Sequence, residues 1–319
     1  MGIALLLSWP AAAQTTFCDE IFEAAWTVKV FSNGPGLVIG APASPGGSAT
    51  HDCPIVGETA LQLGAYRDVF EQVPAWSNLG DGVVWGVHIF TGNTYYPVTS
   101  GAIGTINISI DYECPDSAGA CLNNDGQGFG PALQQGADYF VANTAGTTTG
   151  ITGTPPGWSP HRTGPPLAAL SFNKITAGGG KVVIDSTSHP DFSSAGGAIQ
   201  CGFYTWNATE GGSFNNHAGY DNWQCVFTPP GVLKVCKAAG PGVALDTKFT
   251  FKYSSTAGSG KLTVPAGPAP GGYCVLGPPL PDGTIVTVTE TNSLGIGIPV
   301  AGIVINGYPG GPLTRTRFT

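Results

Sequence analysis

The chain has 319 residues, 10% of them charged, and a formal net charge of −8 at neutral pH, with 49 glycines and 27 prolines. Its 12 lysines and arginines form no basic cluster, which excludes the positive patch that binds nucleic acid or an anionic membrane. Glycine and proline at this density favour many short strands joined by tight turns and exclude a mainly helical protein.

The first thirteen residues form an apolar run that ends in Ala11-Ala12-Ala13, before Gln14. This pattern is typical of the end of a secretory signal peptide, so we expect residues 1–13 to be a signal-peptide remnant. We therefore expect the mature chain to be secreted or displayed on the cell surface. No other apolar run approaches the roughly 20 residues that a membrane-spanning helix needs, so we predict no membrane insertion.

Strand patterns follow one another through residues 14–228. The run 83–90 is apolar almost throughout, as in a central strand covered on both faces. In 106–113, three isoleucines and Tyr112 alternate with polar residues, which predicts one buried and one wet face. So many short strands predict an all-β fold, an antiparallel jelly roll or β-sandwich. The other predicted strands are 25–31, 59–63, 139–141, 167–172, 181–185, 199–206 and 222–228.

Pro229, Pro230 and Gly231 interrupt this pattern and predict a linker at 229–231. In residues 232–319 the strands are shorter and richer in Thr and Val, which predicts a second, smaller β-sandwich of immunoglobulin size. A closing strand is expected at 313–319.

Eight cysteines, without a Cys-x-x-Cys pair or histidines at zinc spacing, predict disulfide bonds formed in an oxidising compartment. Eight cysteines allow about 105 connectivities, and nearest-neighbour pairing is the economical hypothesis. If the second domain folds alone, the last pair is nearly forced. The predicted pairs are Cys18 with Cys53, Cys114 with Cys121, Cys201 with Cys225, and Cys236 with Cys274.

Three segments, 126–140, 188–207 and 217–227, resemble concanavalin A-like jelly rolls of the lectin and glucanase type, found in secreted bacterial proteins. The last segment carries the most telling part, Gly-Tyr-Asp-Asn-Trp at 219–223. The resemblance implies a two-sheet jelly roll whose concave face binds sugars.

Residues 109–113, Ser-Ile-Asp-Tyr-Glu, resemble the Glu-Ile-Asp-x-Glu strand motif of laminarinase-type glucanases, with Ser109 in place of the nucleophile. A retaining mechanism needs two carboxyl groups about 5–5.5 Å apart, so it cannot run without that nucleophile. Asp111 and Glu113 are then a substitute catalytic pair, calcium ligands helped by loop oxygens, or a polar row without chemistry.

Tryptophans are the other candidate contacts for a sugar, because an aromatic face suits the apolar side of a pyranose. Trp76, Trp158 and Trp206 could serve in this way, and the alternative is packing in the core or in loops. We assign no catalytic or metal-ligating residue and expect no cofactor other than a calcium ion. The predicted ligand-binding set is Ser109, Asp111, Glu113, Trp158 and Trp206.

The second domain, with Gly-Val-Leu-Lys-Val-Cys-Lys at 231–237, resembles the prealbumin-like B-type repeats of bacterial surface adhesins. In that family a lysine on the first strand can bond to an asparagine on the last strand, assisted by a carboxylate at the position of Glu290. Lys234, Lys237 and Glu290 match, but 313–319 contains no asparagine. The resemblance therefore implies a sandwich cross-linked by its disulfide.

These patterns predict a non-catalytic, secreted or cell-surface protein that binds a glycan or another surface ligand through its first domain. Two alternatives remain. One is a structural subunit that assembles with its own copies into a surface layer or fibre, and the other is a divergent glycoside hydrolase that uses Asp111 and Glu113.

Overall fold

The computed structural model describes residues 14–19, 25–43, 66–76, 81–113, 127–143, 149–150, 162–256, 258–269, 271–280 and 285–291. Contacts between Cα atoms divide the chain between Thr228 and Pro229 into two units. The strand pairs of both units are antiparallel, as the alternation of apolar and polar residues predicts.

The first unit is a β-sandwich of two sheets. Sheet A has six strands, in the order β10-β6-β14-β4-β3, with β1 also paired to β14. These strands are β1 (Thr15–Asp19), β3 (Leu37–Ala43), β4 (Tyr66–Val73), β6 (Thr105–Glu113), β10 (Arg162–Thr163) and β14 (Phe214–Thr228).

Sheet B has eight strands, in the order β12-β11-β8-β7-β13-β5-β2, with β9 also paired to β7. The described part of this unit also contains a one-turn helix α1 (Pro97–Ser100) and a 3-10 turn (Ala169–Ser171). The strands of sheet B are β2 (Trp26–Ser32), β5 (Gly82–Phe90), β7 (Gly128–Gln135), β8 (Asp138–Val141), β9 (Thr149–Gly150), β11 (Asn173–Gly178), β12 (Lys181–Asp185) and β13 (Ile199–Thr209).

The main core lies between the two sheets. Isoleucines 106, 108 and 110 of β6 pack there with Phe203 and Trp223, which are fully buried. Burial of each such side chain stabilises the fold by about 1.5–3 kcal/mol. A disulfide between Cys201 of β13 and Cys225 of β14 joins the sheets across this core, so the predicted pairing of these two cysteines is confirmed.

Sheet B curls until its two ends approach each other. The backbone N–H of Val182, in β12, donates to Oδ1 of Asn33, which follows β2, at 2.6 Å. The curl gives sheet B a concave face, turned away from sheet A, with its own apolar cluster. That cluster contains Phe31, Trp85, Val87, Ile89, Ala132, Val141, Ile175 and Tyr204.

The apolar run of β5 follows from this arrangement. Val84 and Phe90 pack in the core between the sheets, while Trp85, Val87 and Ile89 pack on the concave face of sheet B. A strand covered on both faces has no polar row, so its alternation disappears.

Residues 167–172 differ from their prediction as a strand. Leu167 forms one bridge to Ile106, Ala169–Ser171 is a 3-10 turn, and the strand begins at Asn173. A short apolar run does not distinguish a strand from a turn that buries part of its side chains. Leu170, in this run, is largely exposed.

The second unit contains a two-stranded sheet, β15 (Gly231–Lys237) with β18 (Tyr273–Leu280), and a three-stranded sheet of β17 (Gly258–Pro265), β16 (Lys248–Ser255) and β19 (Val286–Glu290). Gly231, placed in the linker by the sequence, pairs with Leu280 as the first residue of β15, because glycine can take the ladder hydrogen bonds of a strand. The core includes Val235, Phe249, Phe251, Val264 and Ala266.

Cys236 and Cys274 face each other across β15 and β18 and form a disulfide, which confirms their predicted pairing. Cys18 is also disulfide-bonded, while Cys53, Cys114 and Cys121 lie outside the described residues, as do the predicted strands 59–63 and 313–319. Disulfide bonds indicate folding in an oxidising environment. No helix among the described residues is long and apolar enough to cross a membrane.

Candidate functional site

The predicted polar row lies on the face of β6 that is turned away from sheet B. Ser109, Asp111 and Glu113 have 4%, 0% and 8% of their surface exposed, so the row is buried rather than wet. Alternation along a strand indicates that its two faces differ in polarity, but it does not indicate what covers each face. A large ligand has little access to these three side chains as they stand.

Asp111 holds an irregularity of the neighbouring strand in place. Nδ2 of Asn222 donates to Oδ2 of Asp111 at 2.8 Å. Asn222 lies where the pairing of β14 with β6 shifts register, and its φ of 50° is in the left-handed region, which asparagine tolerates better than most residues. The carboxylate of Asp111 therefore has a structural task.

Glu113 lies over a glycine of the next strand. Gly219 pairs with Glu113, and a Cβ atom at residue 219 would come within 2.8 Å of Cγ of Glu113, so the close approach requires glycine. Burial raises the pKa of Glu113 to about 7. Oδ1 of nearby Asp68, on the other side of Gly219, lies 3.2 Å from Nδ1 of His217.

Trp206 lies on the other sheet, so the structure does not bring it together with the polar row. Its ring stacks on Trp85 with centroids 5.6 Å apart and covers Gly128, where a Cβ atom would meet the indole nitrogen. The indole N–H of Trp206 is buried and has no hydrogen-bond partner within the described structure. Trp158 lies outside the described residues, and Trp76 is exposed after the end of β4.

The concave face of sheet B opens into a cleft of about 410 Å³, which we call the sheet-B cleft. Its floor contains Phe31 and Ile175, which are 5% and 1% exposed. The rings of Phe31 and Tyr139 meet edge to face at 5.9 Å. The curl of the sheet produces the cleft, because Phe31 is on β2, at one end, and Ile175 is on β11, near the other.

Polar groups that lack a partner among the described residues line the walls of the sheet-B cleft. Among the described residues, neither the ammonium of Lys29 nor the hydroxyl of Tyr139 has a hydrogen bond or ion pair. Gln134 donates from Nε2 to the carbonyl of Gly136 at 3.0 Å, which leaves Oε1 as an acceptor. Asp138, at the rim, is paired with Lys174 at 2.7 Å.

Sequence reasoning missed this cleft, although one local signal pointed to it. Lys29 is the one charged residue in the apolar strand 25–31, and it has the same parity as Phe31. The sequence could indicate that Lys29 and Phe31 share a face of the strand. It could not indicate that β8 and β11 would stand opposite that face.

Titratable side chains also lie in the core between the two sheets. Nε of Arg67 donates to Nδ1 of His88 at 3.3 Å, and burial together with the charge of Arg67 lowers the pKa of His88. Burial raises the pKa of Glu71 to about 8. The Thr205 hydroxyl offsets part of that rise, although neither carboxyl oxygen of Glu71 has a partner in hydrogen-bonding geometry. These buried groups affect stability.

In the second unit, Lys237 is the candidate lysine that faces Glu290. Its Nζ lies 2.9 Å from Oε2 of Glu290 and 4.2 Å from the centroid of the Phe249 ring. Lys234 is on the opposite face of β15 by its parity with Cys236. The expected closing strand lies outside the described residues.

No group of three or more His, Cys, Asp or Glu side chains in the described ranges is placed to hold a metal ion. Comparison with known proteins finds no matching family model and no matching curated protein. Among solved structures, the chain is similar to the glycoside hydrolase domain of Endo-D from Streptococcus pneumoniae R6, at 7% identity and a TM-score of 0.21. The similarity covers 87% of this chain and 37% of that one. A similarity at this level identifies no activity.

Proposed function

We propose that the protein is a secreted or cell-surface carbohydrate-binding protein of the concanavalin A-like jelly-roll type and that it holds its sugar in the sheet-B cleft. The observation that carries this proposal is a set of polar groups without a partner among the described residues, above an aromatic and aliphatic floor. They are the ammonium of Lys29, the hydroxyl of Tyr139 and Oε1 of Gln134. Sugars have one apolar face and a rim of hydroxyl groups, so they suit a surface of this kind.

This binding site lies on sheet B, whereas the sequence predicted a site at the polar row of sheet A. Asp111 is fully buried and bonded to Asn222, so binding a sugar there would require the bulge of β14 to rearrange. The half-buried Tyr139 and the exposed Lys29 need no such change. The second unit, with its adhesin-like sequence, would present the first unit at the cell surface.

A glycan array probed with the full chain tests the proposal. Tyr139→Ala removes both the ring wall and a hydroxyl, so we expect at least a tenfold loss of binding, equal to about 1.4 kcal/mol. Tyr96→Ala is the matched control, because Tyr96 is exposed and does not line the cleft. The proposal fails if no glycan binds or if both tyrosine variants bind as the unchanged protein does.

Hydrolysis is a second candidate because of one observation, the pKa of Glu113, which burial raises to about 7. A general acid works best with a pKa near the operating pH. A catalytic role for Glu113 requires the buried polar row to open to a polysaccharide. It then predicts release of reducing ends and loss of this release in Glu113→Gln. Binding without release, in the unchanged protein, excludes hydrolysis and leaves the binding proposal intact.

A further inference from the structure

The sheet-B cleft offers an unneutralised positive charge. Lys29 is exposed, stands beside Phe31 on the concave face of β2, and has no ion pair or hydrogen bond among the described residues. In β5, its cross-strand partner is Val87, an apolar residue. Nothing in its immediate strand environment therefore satisfies the ammonium except solvent or a ligand.

The other charge at the cleft is already neutralised. Asp138 lies at the rim, where Lys174 holds it at 2.7 Å. Lys29 therefore gives the cleft a net positive charge, whereas the formal charge of the whole protein is −8. The cleft is a local positive site on a negative molecule, which disfavours extended polyanions but accommodates one acidic group.

The hydrogen-bonding groups of the cleft also favour an acidic ligand. The Lys29 ammonium has three donors and no acceptor, and the Tyr139 hydroxyl can also donate. A carboxylate has acceptors only and forms stronger, charge-assisted hydrogen bonds with such donors. The Oε1 atom of Gln134 remains to accept a hydrogen bond from a sugar hydroxyl.

We propose, on the basis of the carbohydrate site described above, that the ligand is an acidic sugar whose carboxylate binds Lys29 and the hydroxyl of Tyr139. The ring of the sugar packs on the half-buried Tyr139 ring, which Phe31 supports by an edge-to-face contact. An exposed ion pair is a modest contribution, so loss of the Lys29 charge weakens binding about three- to tenfold rather than abolishing it.

The test measures binding of the full chain to oligosaccharides that carry one uronic acid and to their carboxyl-reduced counterparts, at low and high NaCl. We expect the acidic sugars to bind several-fold better, and salt to weaken this preference because it screens exposed charges. Lys29→Gln should remove both the preference and its salt dependence. Lys248→Gln is the control, because Lys248 is an exposed lysine of the second unit, and thermal melting checks that both variants fold.

Each result is decisive. The inference is wrong if acidic and carboxyl-reduced sugars bind equally well, or if Lys29→Gln keeps the preference for acidic sugars. If Tyr139→Ala then weakens the binding of both kinds of sugar, the proposed carbohydrate site is still supported. Polyglutamate that binds as tightly as the acidic sugars also overturns it, because charge alone would then suffice. If no sugar binds, the inference and the proposed function fail together.

Discussion

Nδ2 of Asn222 donates a 2.8 Å hydrogen bond to Oδ2 of Asp111, which links the bulge of β14 to the buried polar row of β6. The backbone N–H of Asn222 also donates to Oδ1 of Asp221 at 2.8 Å. Asn222 therefore combines a left-handed backbone with a buried hydrogen bond, and these two contributions can be separated by mutation.

Asn222→Gly should destabilise the first unit by about 1–3 kcal/mol, because it removes a buried hydrogen bond to Asp111 and keeps the backbone free to adopt a φ of 50°. Asn222→Ala should cost about 1 kcal/mol more, because a Cβ atom disfavours that φ. Urea unfolding of the full chain measures both changes. Asn215→Ala, at an exposed position of the same strand, should change stability by less than about 0.5 kcal/mol. Equal stability of the Gly and Ala variants would contradict the role of the backbone.

Glu71 should make the first unit less stable as the pH rises. Burial raises the folded-state pKa of Glu71 to about 8, above an ordinary value of 4.5. Between these values the folded state holds a proton that the unfolded state has released, so stability falls from about pH 4.5 to pH 8. Glu71→Gln removes this dependence and should melt at a higher temperature than the unchanged protein at pH 8, with the difference shrinking towards pH 4.5.

Melting curves across this pH range check the prediction for Glu71. Glu210→Gln is the control, because Glu210 is exposed directly after the end of β13, and its curves should follow those of the unchanged protein. A difference between Glu71→Gln and the unchanged protein that stays constant from pH 4.5 to pH 8 would refute the assignment.

The two disulfides with described partners should differ in their reaction with a dithiol. Cys201 and Cys225 are fully buried between the sheets, whereas Cys274 is exposed and Cys236 half-buried. Thiol–disulfide exchange requires access of a thiolate to a sulfur atom. Under native conditions, dithiothreitol followed by iodoacetamide should therefore label Cys236 and Cys274 first, and mass spectrometry identifies the labelled peptides.

Unfolding in urea is the control for this comparison. Without the folded core, Cys201 and Cys225 lose their protection, so all four cysteines should be labelled at similar rates. Native labelling of Cys201 and Cys225 as early as of Cys274 would show that access does not control the reaction.

The fold class could be predicted from the sequence because it depends on local patterns. Alternation in β6, an apolar run in β5 and dense turn residues each require strands, wherever those strands later pair. The pairs Cys201–Cys225 and Cys236–Cys274 were predictable for a similar reason, since each closes a short loop within one unit. The 3-10 turn at Ala169–Ser171 could not be predicted, because a short apolar run is compatible with a strand and with a turn.

The candidate site could not be predicted from local patterns, because it depends on which strands come together in the fold. By itself, the sequence determined that Lys29 and Phe31 share one face of a strand, that Ile106 and Ile108 share another, and that the chain builds sheets. The tertiary structure decided that sheet B curls, which brings Tyr139 of β8 and Ile175 of β11 opposite Phe31 and creates a cleft. It also decided that Asp111 is buried and accepts a hydrogen bond from Asn222. The physical reason is that alternation depends on the backbone of one strand, whereas burial depends on the neighbours that long-range pairing supplies.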